Sequence, residues 1–496
     1  MLLCREWMGR QSNLPSVENY PERFLQFGEG NFMKGFVDWL IHQWNKSGQN
    51  QGRTVVVTPL AAGAQAIQKF KDQEGLYTVW LRGIQNGELV DTKEVVTSVS
   101  RAIDPYQDWN ELLECARQPL LDTVFSNTTE AGLTYLEEPL TGGQCPTSFP
   151  GKLTAYLYER YQTFGGDSSM GLDIVPCELV DNNGDRLREL VLQYIADWRL
   201  PEQFAKWVEQ SNFFYNTLVD SIITGFASMD KKVLAEEFPY VDSLGVVREP
   251  FYLWVIEGPA RLSEKLNFPA AQLNVRYVPD ATPYRLIKVK VLNGAHTSLA
   301  GLAYLAGLQT VKEVVTHPVL GTFVQRLMQY EILPTLPAHG IPALAAQEFA
   351  NSVMERFSNP YLRHEITSLQ LNGLSKIGVR VLPILHDSFV ATGKIPPLLT
   401  MALAGLLLYY RNATAPNERW VIKDNIEQVQ AVQAAWELEP SAGLDAAIQA
   451  ILRLQRVWGQ DLSKLPGLAK TLVNDVVQIR SAGVIHALSE LMSVKA

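Results

Sequence analysis

The stretch that decides the fold of the first half of the chain is Arg23-Phe-Leu-Gln-Phe27-Gly28-Glu-Gly30-Asn-Phe32. Its first five residues predict a short buried strand, and the residues after Gly30 predict a helix with Phe36, Leu40 and Trp44 on one side. Residues 54–57, Thr-Val-Val-Val, predict a second strand. A strand, a glycine turn, a helix and another strand in this order indicate the opening of a dinucleotide-binding fold.

The two glycines of this turn have distinct expected roles. Gly28 would allow the tight turn, and Gly30 would let the backbone approach a pyrophosphate beside the positive end of the helix. The motif is incomplete, because Met33 occupies the third glycine position and Thr58, not Asp or Glu, follows the second strand. On these residues alone, an ordinary glycine turn explains the stretch equally well.

Further strands are predicted at residues 79–82, 122–126 and 172–176, followed by a helix at residues 186–198. Ligands of open α/β sheets bind beyond the carboxyl ends of the strands. We therefore expect residues 126–130 to meet the nicotinamide half of a dinucleotide. The alternative is a polar loop whose threonines cap the next helix.

The second half of the chain changes character near residue 280. From Pro283 onward almost every apolar run has helical spacing. A chain of 496 residues is also too long for one hydrophobic core. We therefore predict a Rossmann-like α/β domain over residues 1–280 and a mostly α-helical domain over residues 281–496.

Three polar residues interrupt the apolar helix predicted over residues 284–308. At about 100° per residue, Lys288, His296 and Asn293 fall at roughly 0°, 80° and 140°, so one helical face can present all three to the same pocket. Lys290 lies about 200° from Lys288 and is expected to face elsewhere, so its replacement by alanine should be mild. The alternative is that Lys288 reaches water while His296 and Asn293 are hydrogen-bonded within the core.

Composition and charge argue against several classes of protein. Hydrophobic residues make up 47% and charged residues 19% of the chain, as in soluble globular proteins, and the net charge of −9 argues against a sequence-independent nucleic-acid binder. The four cysteines show no C-x-x-C spacing and the histidines no H-E-x-x-H pattern, so we expect no metal site and a reducing cytoplasm. The N-terminus lacks the apolar core of a signal peptide, and the longest uncharged apolar run, residues 398–410, is too short to span a membrane.

The spacing Lys-x4-Asn-x2-His at residues 288–296 resembles the catalytic signature of the mannitol dehydrogenase family of long-chain, metal-independent polyol dehydrogenases. In that family the lysine is the acid/base, the asparagine polarises the reacting oxygen and the histidine orients the substrate. The resemblance assigns these roles to Lys288, Asn293 and His296. The glycine turn is also similar to the family's cofactor turn, and the resemblance extends over roughly residues 20–470. It implies NAD as the cofactor, bound by Leu25, Gln26, Phe27, Gly28, Glu29, Gly30, Asn31, Phe32, Ser126, Asn127, Thr128, Glu130 and Asp220.

Residues 176–191, which begin Pro-Cys-Glu-Leu-Val-Asp, are similar to the members of that family that interconvert D-tagaturonate and D-altronate in hexuronate breakdown. The mannitol and fructuronate members place an asparagine where Leu179 stands, so a second oxygen-polarising asparagine is missing here. Ser221 follows Asp220 where the family usually has an arginine. The loss could weaken a structural ion pair or a cofactor contact.

The resemblance implies an NAD-dependent reductase of a small keto-sugar acid, without a nucleic-acid or membrane partner. Because the protein is net negative, the substrate carboxylate needs a cation, and a guanidinium would bind it through two hydrogen bonds. The alternatives are a fructuronate or mannitol-type dehydrogenase and a non-catalytic NAD-binding homologue. The candidate carboxylate ligands in the helical domain are Arg356, Arg363, Lys376 and Arg380.

Overall fold

The chain divides into two compact units in the computed structural model, which describes residues 1–10, 19–411 and 422–493. The first unit comprises Met1–Arg82 and Leu89–Ala281, and the second comprises Gly83–Glu88 and Thr282–Ala496. The main division falls one residue beyond the expected end of the first domain at residue 280. The expected domains also include residues 11–18, 412–421 and 494–496, which lie outside the described residues.

Short strands alternate with helices through the first unit, as the sequence predicts. The five strands predicted above correspond to the first, second, third, sixth and seventh strands of the chain. The strands are β1 (Glu22–Phe27), β2 (Arg53–Val57), β3 (Tyr77–Gln85), β4 (Glu88–Val96), β5 (Val99–Ile103), β6 (Thr123–Ser126), β7 (Asp173–Pro176), β8 (Phe213–Phe214), β9 (Asn216–Asp220), β10 (Ile223–Gly225), β11 (Val246–Arg248), β12 (Leu253–Glu257) and β13 (Val275–Val278).

The largest sheet has the strand order β5-β2-β1-β6-β7-β8, and its neighbouring strands are parallel. The carboxyl ends of four strands are level, because Phe27 pairs with both Val57 and Ser126, and Ser126 pairs with Pro176. Two smaller sheets have the orders β10-β11-β3-β4 and β13-β12-β9. The level ends of β2, β1, β6 and β7 form the edge at which ligands of such sheets bind.

Both faces of the large sheet are buried, which is the usual condition of a parallel sheet. Alternate residues of β1 point to opposite faces, with Leu25 and Phe27 in one core cluster and Phe24 in another. The helices of the first unit are Arg5–Gly9, Asn31–Met33, Lys34–Asp38, Trp39–Lys46, Ala61–Gly63, Ala64–Asp72, Trp109–Ala116, Glu130–Gly132, Phe149–Thr163, Ser168–Met170, Asn183–Asp197, Glu202–Ser211, Phe226–Ser228, Lys231–Glu237, Arg261–Lys265 and Phe268–Ala271.

The second unit is helical from Thr282 onward, as the apolar spacing predicts. π-helical segments occur within it at Lys288–Asn293, Leu327–Ile332 and Ile377–Val381. The other helices are Thr282–Ile287, Gly294–Leu305, Val311–Thr316, Pro318–Arg326, Leu333–Thr335, Pro337–His339, Ala343–Phe357, Ile366–Leu369, Gly373–Lys376, Leu382–Thr392, Pro397–Arg411, Ile426–Trp436, Glu439–Leu452, Gln455–Trp458, Leu462–Lys464, Leu468–Ala482 and Val484–Ser493.

Two glycines bring the central helices of the second unit into close contact. A Cβ at Gly301 would lie 2.6 Å from the backbone nitrogen of Leu406, and a Cβ at Gly405 would lie 2.7 Å from Cδ2 of Leu302. The helix Pro397–Arg411 contains the longest apolar run and is buried from residue 398 to residue 410. Within the described part of the chain, no helix is both long and apolar enough to cross a membrane.

Candidate active site

The glycine turn after β1 is closed by backbone contacts at the carboxyl edge of the sheet. Gly28 N donates to the Val57 carbonyl oxygen, and Asn127 N donates to the Phe27 carbonyl oxygen, both at 2.9 Å. Gly28 has a φ of +124°, and a Cβ there would lie 2.6 Å from the carbonyl oxygen of Asn127. A side chain at this position would therefore strain the backbone and collide with it.

The backbone at Gly30, unlike that at Gly28, is not crowded by neighbouring atoms. Gly30 is exposed, and a Cβ built there would meet nothing within 4 Å. A helix begins at the next residue, Asn31, and the first N–H groups of a helix have no partner inside it. Open backbone beside the positive end of a helix suits a pyrophosphate, so this turn fits the dinucleotide expected from the sequence.

Three of the predicted cofactor residues lie on β1, just before the glycine turn, and are buried. Leu25 and Phe27 lie in the core, and Gln26 Nε2 donates to the Gly28 carbonyl oxygen at 3.0 Å and to Asp38 Oδ2 at 3.2 Å. Burial raises the pKa of Asp38 to about 7. Gln26 therefore connects the turn to the segment Lys34–Asp38, which is π-helical. The side chain of Gln26 is buried and does not face solvent.

The other predicted residues of the turn lie nearer the surface. Glu29 is partly exposed, and its Oε1 lies 3.2 Å from the hydroxyl of Thr58, the first residue after β2. Asn31 is exposed, and the ring of Phe32 stacks on Phe36 with 4.8 Å between centroids. These side chains, unlike those of the strand, are available to a ligand.

A buried carboxylate that the sequence analysis did not select organises the end of β6. Glu178 Oε2 accepts from Ser126 Oγ at 3.0 Å, and its Oε1 accepts from Thr128 N at 2.9 Å and Thr128 Oγ1 at 3.1 Å. Burial raises the pKa of Glu178. The threonine hydroxyl binds this carboxylate and makes no helix cap, because the helix Glu130–Gly132 has no side-chain cap.

The remaining predicted residues of this loop differ in exposure. Asn127 Nδ2 donates to the Cys177 carbonyl oxygen at 2.9 Å, which ties the end of β6 to that of β7, whereas Glu130 is exposed. Asp220 is buried at the end of β9. Ser221 Oγ donates to the Phe251 carbonyl oxygen at 3.0 Å, and Leu179 is 63% exposed.

In the second unit, the predicted helix contains a π-helical segment at Lys288–Asn293. A π-helix closes on i→i+5 hydrogen bonds, so residues five apart come closer to the same side than they would in an α-helix. Lys288 and Asn293 are five residues apart, and both are partly exposed. The wheel drawn at 100° per residue was wrong for this segment, and the π geometry brings the amine and the carboxamide nearer to one face.

Lys290, which was expected to face elsewhere than Lys288, is buried. Its Nζ forms an ion pair with Asp387 Oδ2 and lies 2.8 Å from His339 Nε2. His339 Nε2 in turn lies 2.7 Å from Asp387 Oδ2. The expectation that Lys290 is a mild site to replace is therefore not supported by its surroundings.

His296 is 8% exposed and is held between two rings. It stacks on Phe357 with 4.2 Å between centroids, and it meets His364 edge-on at 4.8 Å. Among the described residues, its Nε2 has no hydrogen-bond partner. His296 is therefore not the fully hydrogen-bonded core histidine of the alternative interpretation, and a buried polar atom without a partner is costly unless a ligand satisfies it.

Basic groups surround this imidazole. Burial, and then the neighbouring His364, Arg356, Arg380 and Lys376, hold the pKa of His296 well below its ordinary value. Burial and the neighbouring Arg380 also lower the pKa of Lys376. Mutually repelling cations beside a neutral imidazole form a site that favours an anion.

The structure brings three of the four predicted carboxylate ligands near His296, namely Arg356, Lys376 and Arg380. Arg356 is buried, and Lys376 and Arg380 are partly exposed. Arg363 is exposed and pairs with Glu365, so we leave it out of the candidate site. His364 was missed by the sequence analysis, although it directly follows the candidate ligand Arg363. Nowhere in residues 1–10, 19–411 and 422–493 do three His, Cys, Asp or Glu side chains converge so as to hold a metal ion.

Two family models match most of the chain. The Mannitol dehydrogenase Rossmann domain matches residues 22–270, and the Mannitol dehydrogenase C-terminal domain matches residues 280–480. The chain belongs to the mannitol dehydrogenase family. As a member of this family, it is an oxidoreductase that acts on a CH–OH group of a polyol or sugar acid.

Curated relatives of the family cover nearly all of the chain. It is 40% identical over 484 residues to the altronate oxidoreductase of Halalkalibacterium halodurans, covering 95% of this chain and 94% of the relative. It is also 40% identical over 471 residues to that of Bacillus subtilis, covering 95% of each. The names of these relatives agree with the resemblance at residues 176–191, which pointed to the members that act on D-altronate.

Solved structures of the family share the fold. The chain superposes on Pseudomonas fluorescens mannitol 2-dehydrogenase, a ternary complex with NAD and D-mannitol, with a TM-score of 0.70, 20% identity and 100% coverage of both chains. A substrate-free D-sorbitol dehydrogenase gives a TM-score of 0.79 at 20% identity, covering 98% of this chain and 100% of the other. The mannitol dehydrogenase architecture predicted from the sequence is therefore confirmed.

Proposed function

We propose that the protein is an NAD-dependent reductase that interconverts D-tagaturonate and D-altronate, a step of hexuronate catabolism. The curated relatives that are 40% identical are named altronate oxidoreductases, which supports this substrate pair over a neutral polyol. The four cysteines are free thiols, which suits a reducing compartment such as the cytoplasm.

The observation that carries the proposal is the group of basic side chains around His296. A keto-uronate differs from a neutral ketose by a carboxylate, and a carboxylate is the ligand that such a group favours. Arg380 and Lys376 are partly exposed, so they are available to it, whereas Arg356 contributes charge from a buried position. His364 lies against His296 and adds an imidazole that can donate to the same anion.

Lys288 is the proposed acid/base. In reduction, its ammonium group donates a proton to the oxygen that becomes an alkoxide, and in oxidation the neutral amine takes the proton back. Asn293 and His296 donate hydrogen bonds to the same oxygen and hold the reacting carbon in position. The π-helical segment supports this assignment because it turns Lys288 and Asn293 toward one side.

The proposed cofactor fits the first unit. Gly28, Gly30 and the start of the following helix would hold the pyrophosphate, and the loop that Glu178 organises after β6 would border the nicotinamide. NAD(H), when bound, supplies or accepts the hydride at nicotinamide C4. The partners of the protein are thus a small sugar acid and a dinucleotide.

Leu179 favours the tagaturonate members over the mannitol and fructuronate members, because a leucine has no hydrogen-bond donor with which to polarise a substrate oxygen. Fructuronate reductase activity and a non-catalytic NAD-binding role remain the competing functions. All three are separated by one assay, in which purified protein and NADH are mixed with D-tagaturonate, D-fructuronate or D-fructose and the nicotinamide absorbance is followed.

We expect the highest kcat/KM with D-tagaturonate. Comparable efficiency with D-fructose would overturn the assignment to sugar acids, and a preference for D-fructuronate would keep the class and replace the substrate. If the protein binds NADH but oxidises it with none of the three, the non-catalytic function is the correct one.

A further inference from the structure

Strand β2 is not followed by the carboxylate that commonly hydrogen-bonds the adenosine ribose of NAD. In dinucleotide-binding folds that carboxylate hydrogen-bonds the ribose 2′-hydroxyl, and its charge repels the 2′-phosphate of NADP. Here Thr58 and Pro59 follow β2. The same end of β2 nevertheless receives a carboxylate from elsewhere in the chain.

We propose that Glu29, from the glycine turn, binds the 2′-hydroxyl of the adenosine ribose and makes the protein select NAD over NADP. Its Oε1 lies 3.2 Å from Thr58 Oγ1. Glu29, in the turn after β1, thus takes the role of the ribose-binding carboxylate that follows β2 in other proteins of this fold. The proposal rests on the dinucleotide binding assigned above, and it does not depend on which sugar is reduced.

Backbone contacts fix Glu29 at this end of the sheet. The preceding residue, Gly28, donates from N to the Val57 carbonyl oxygen at 2.9 Å, so the turn is attached to the last residue of β2. Thr58 is fully buried, and its hydroxyl also lies 2.9 Å from the Leu60 carbonyl oxygen. Glu29 is partly exposed and can therefore reach a ligand.

A glycine on the next segment leaves room for the carboxylate. A Cβ at Gly63 would lie 2.5 Å from Glu29 Oε1 and 1.9 Å from Thr58 Oγ1. Gly63 ends the short helix Ala61–Gly63, which leads into the helix Ala64–Asp72. Any larger residue there would displace Glu29 from the end of β2, so this position too is adapted to the carboxylate.

The surrounding charges disfavour a phosphate. The neighbouring Asp104 is close enough to contribute to the raised pKa of Glu29, which burial chiefly causes. Lys34 also acts on Glu29, and its Nζ donates to the Leu244 carbonyl oxygen at 2.6 Å. Two neighbouring carboxylates, Glu29 and Asp104, therefore repel a 2′-phosphate.

The test compares the binding of NADH and NADPH to the wild type and to Glu29→Gln by titration of protein fluorescence. Glutamine has the same shape and can still bond to Thr58, so the fold should be kept, and a thermal melt checks it. We expect the wild type to bind NADH about 10- to 100-fold more tightly than NADPH, and Glu29→Gln to lose most of that ratio, because a charged hydrogen bond and a charge repulsion are removed together. Glu236→Gln, an exposed glutamate of the same unit, is the matched control and should keep the wild-type ratio.

An unchanged ratio in folded Glu29→Gln overturns the proposal, and so does a wild type that prefers NADPH. A wild type that binds neither cofactor overturns both this proposal and the proposed function. If the ratio changes as expected while D-tagaturonate is not reduced, the role of Glu29 stands and the substrate assignment fails.

Discussion

The ammonium group of Lys290 is buried in an ion pair with Asp387. Lys288, only two residues earlier on the same π-helical segment, is partly exposed. Two lysines of one turn therefore differ in burial: Lys290 is buried and paired with a residue of the helix Leu382–Thr392, whereas Lys288 is partly exposed. The first holds the segment in place, and the second is the group that we assign to chemistry.

We predict that Lys290→Met destabilises the protein. The change removes one partner of a buried ion pair and leaves Asp387 and His339 without their cation. Because Asp387 is 26% exposed, the expected loss is about 1–3 kcal/mol in the free energy of unfolding, less than the roughly 3–5 kcal/mol for a fully buried pair. Urea denaturation measures it, with the exposed Lys312→Met as the control. Equal stability of the two variants would contradict the structural role.

Replacement of Lys288 by alanine should impair catalysis and leave the stability of the protein largely unchanged. We expect kcat to fall by about 10²–10⁴-fold, since this is the usual contribution of a general acid/base. The dissociation constant of NADH and the melting temperature should change little, because alanine favours a helix and Lys288 is not a core residue. Steady-state kinetics and a cofactor titration measure the two effects. Near-normal turnover in Lys288→Ala would require another acid, and His296 would be the next candidate.

The Rossmann opening could be predicted because its pattern is local. The strand, Gly28, Gly30 and the helix follow one another within about two dozen residues, and each signal depends on residues next to it. The π-helical segment at Lys288–Asn293 could not be predicted, since an apolar run fits either helix type. The partners of Lys290 lie 49 and 97 residues away along the chain, so only the folded chain reveals that it is buried.

Glu178 and His364 were missed for a related reason. Glu178 lies within residues 176–191 and His364 directly follows Arg363, all of which the sequence analysis had selected, but their importance comes from contacts with distant residues. Glu178 binds Ser126 and Thr128, about fifty residues earlier, and His364 meets His296 edge-on. The one local sign of Glu178 was a carboxylate two residues after a buried strand, because a charge in such a position needs hydrogen bonds.

We predict that Arg380→Met selectively impairs the turnover of sugar acids. Arg380 is partly exposed beside His296, whereas Arg356 is buried and its loss would also affect folding. Losing one charge-assisted hydrogen bond to the carboxylate costs about 1.5–3 kcal/mol, so KM for D-tagaturonate should rise about 10- to 100-fold. The kinetic constants for D-fructose, which has no carboxylate, should change little.

Arg363→Met is the matched control, because Arg363 is exposed and pairs with Glu365. It should leave both substrates unaffected. The assignment of Arg380 fails if the two arginine variants behave alike, or if D-tagaturonate and D-fructose are affected to the same extent.

We predict that Asp475→Asn stabilises the protein at alkaline pH and not at acidic pH. Burial raises the pKa of Asp475 from 3.8 to about 7, and its Oδ2 has no partner among the described residues. The carboxyl group binds its proton more tightly in the folded chain, so its contribution to stability is present below pH 4 and is lost as the pH rises through about 7. At about 1.4 kcal/mol per pKa unit, the variant should gain up to about 4 kcal/mol over the wild type across this window.

Urea denaturation at pH 5 and pH 8 measures the part of this gain that develops above pH 5, about 3 kcal/mol. Asp445→Asn, at an exposed position of the helix Glu439–Leu452, should show no such dependence. A stability difference between Asp475→Asn and the wild type that is the same at both pH values would rule out a titrating carboxyl at this position.

The last prediction separates the two glycines of the turn. Gly28→Ala forces a side chain onto a residue with a φ of +124° and brings Cβ within 2.6 Å of the Asn127 carbonyl oxygen, so both the fold and the cofactor site should suffer. We expect a loss of about 2–4 kcal/mol in the free energy of unfolding and no measurable NADH binding. Gly30→Ala should keep the wild-type melting temperature, because its φ is −68° and its surroundings are open. It should weaken NADH binding alone, since the added methyl group occupies the space that we assign to the pyrophosphate. Thermal melts and NADH titrations of the two variants distinguish these outcomes, and unimpaired NADH binding by Gly30→Ala would mean that the pyrophosphate lies elsewhere.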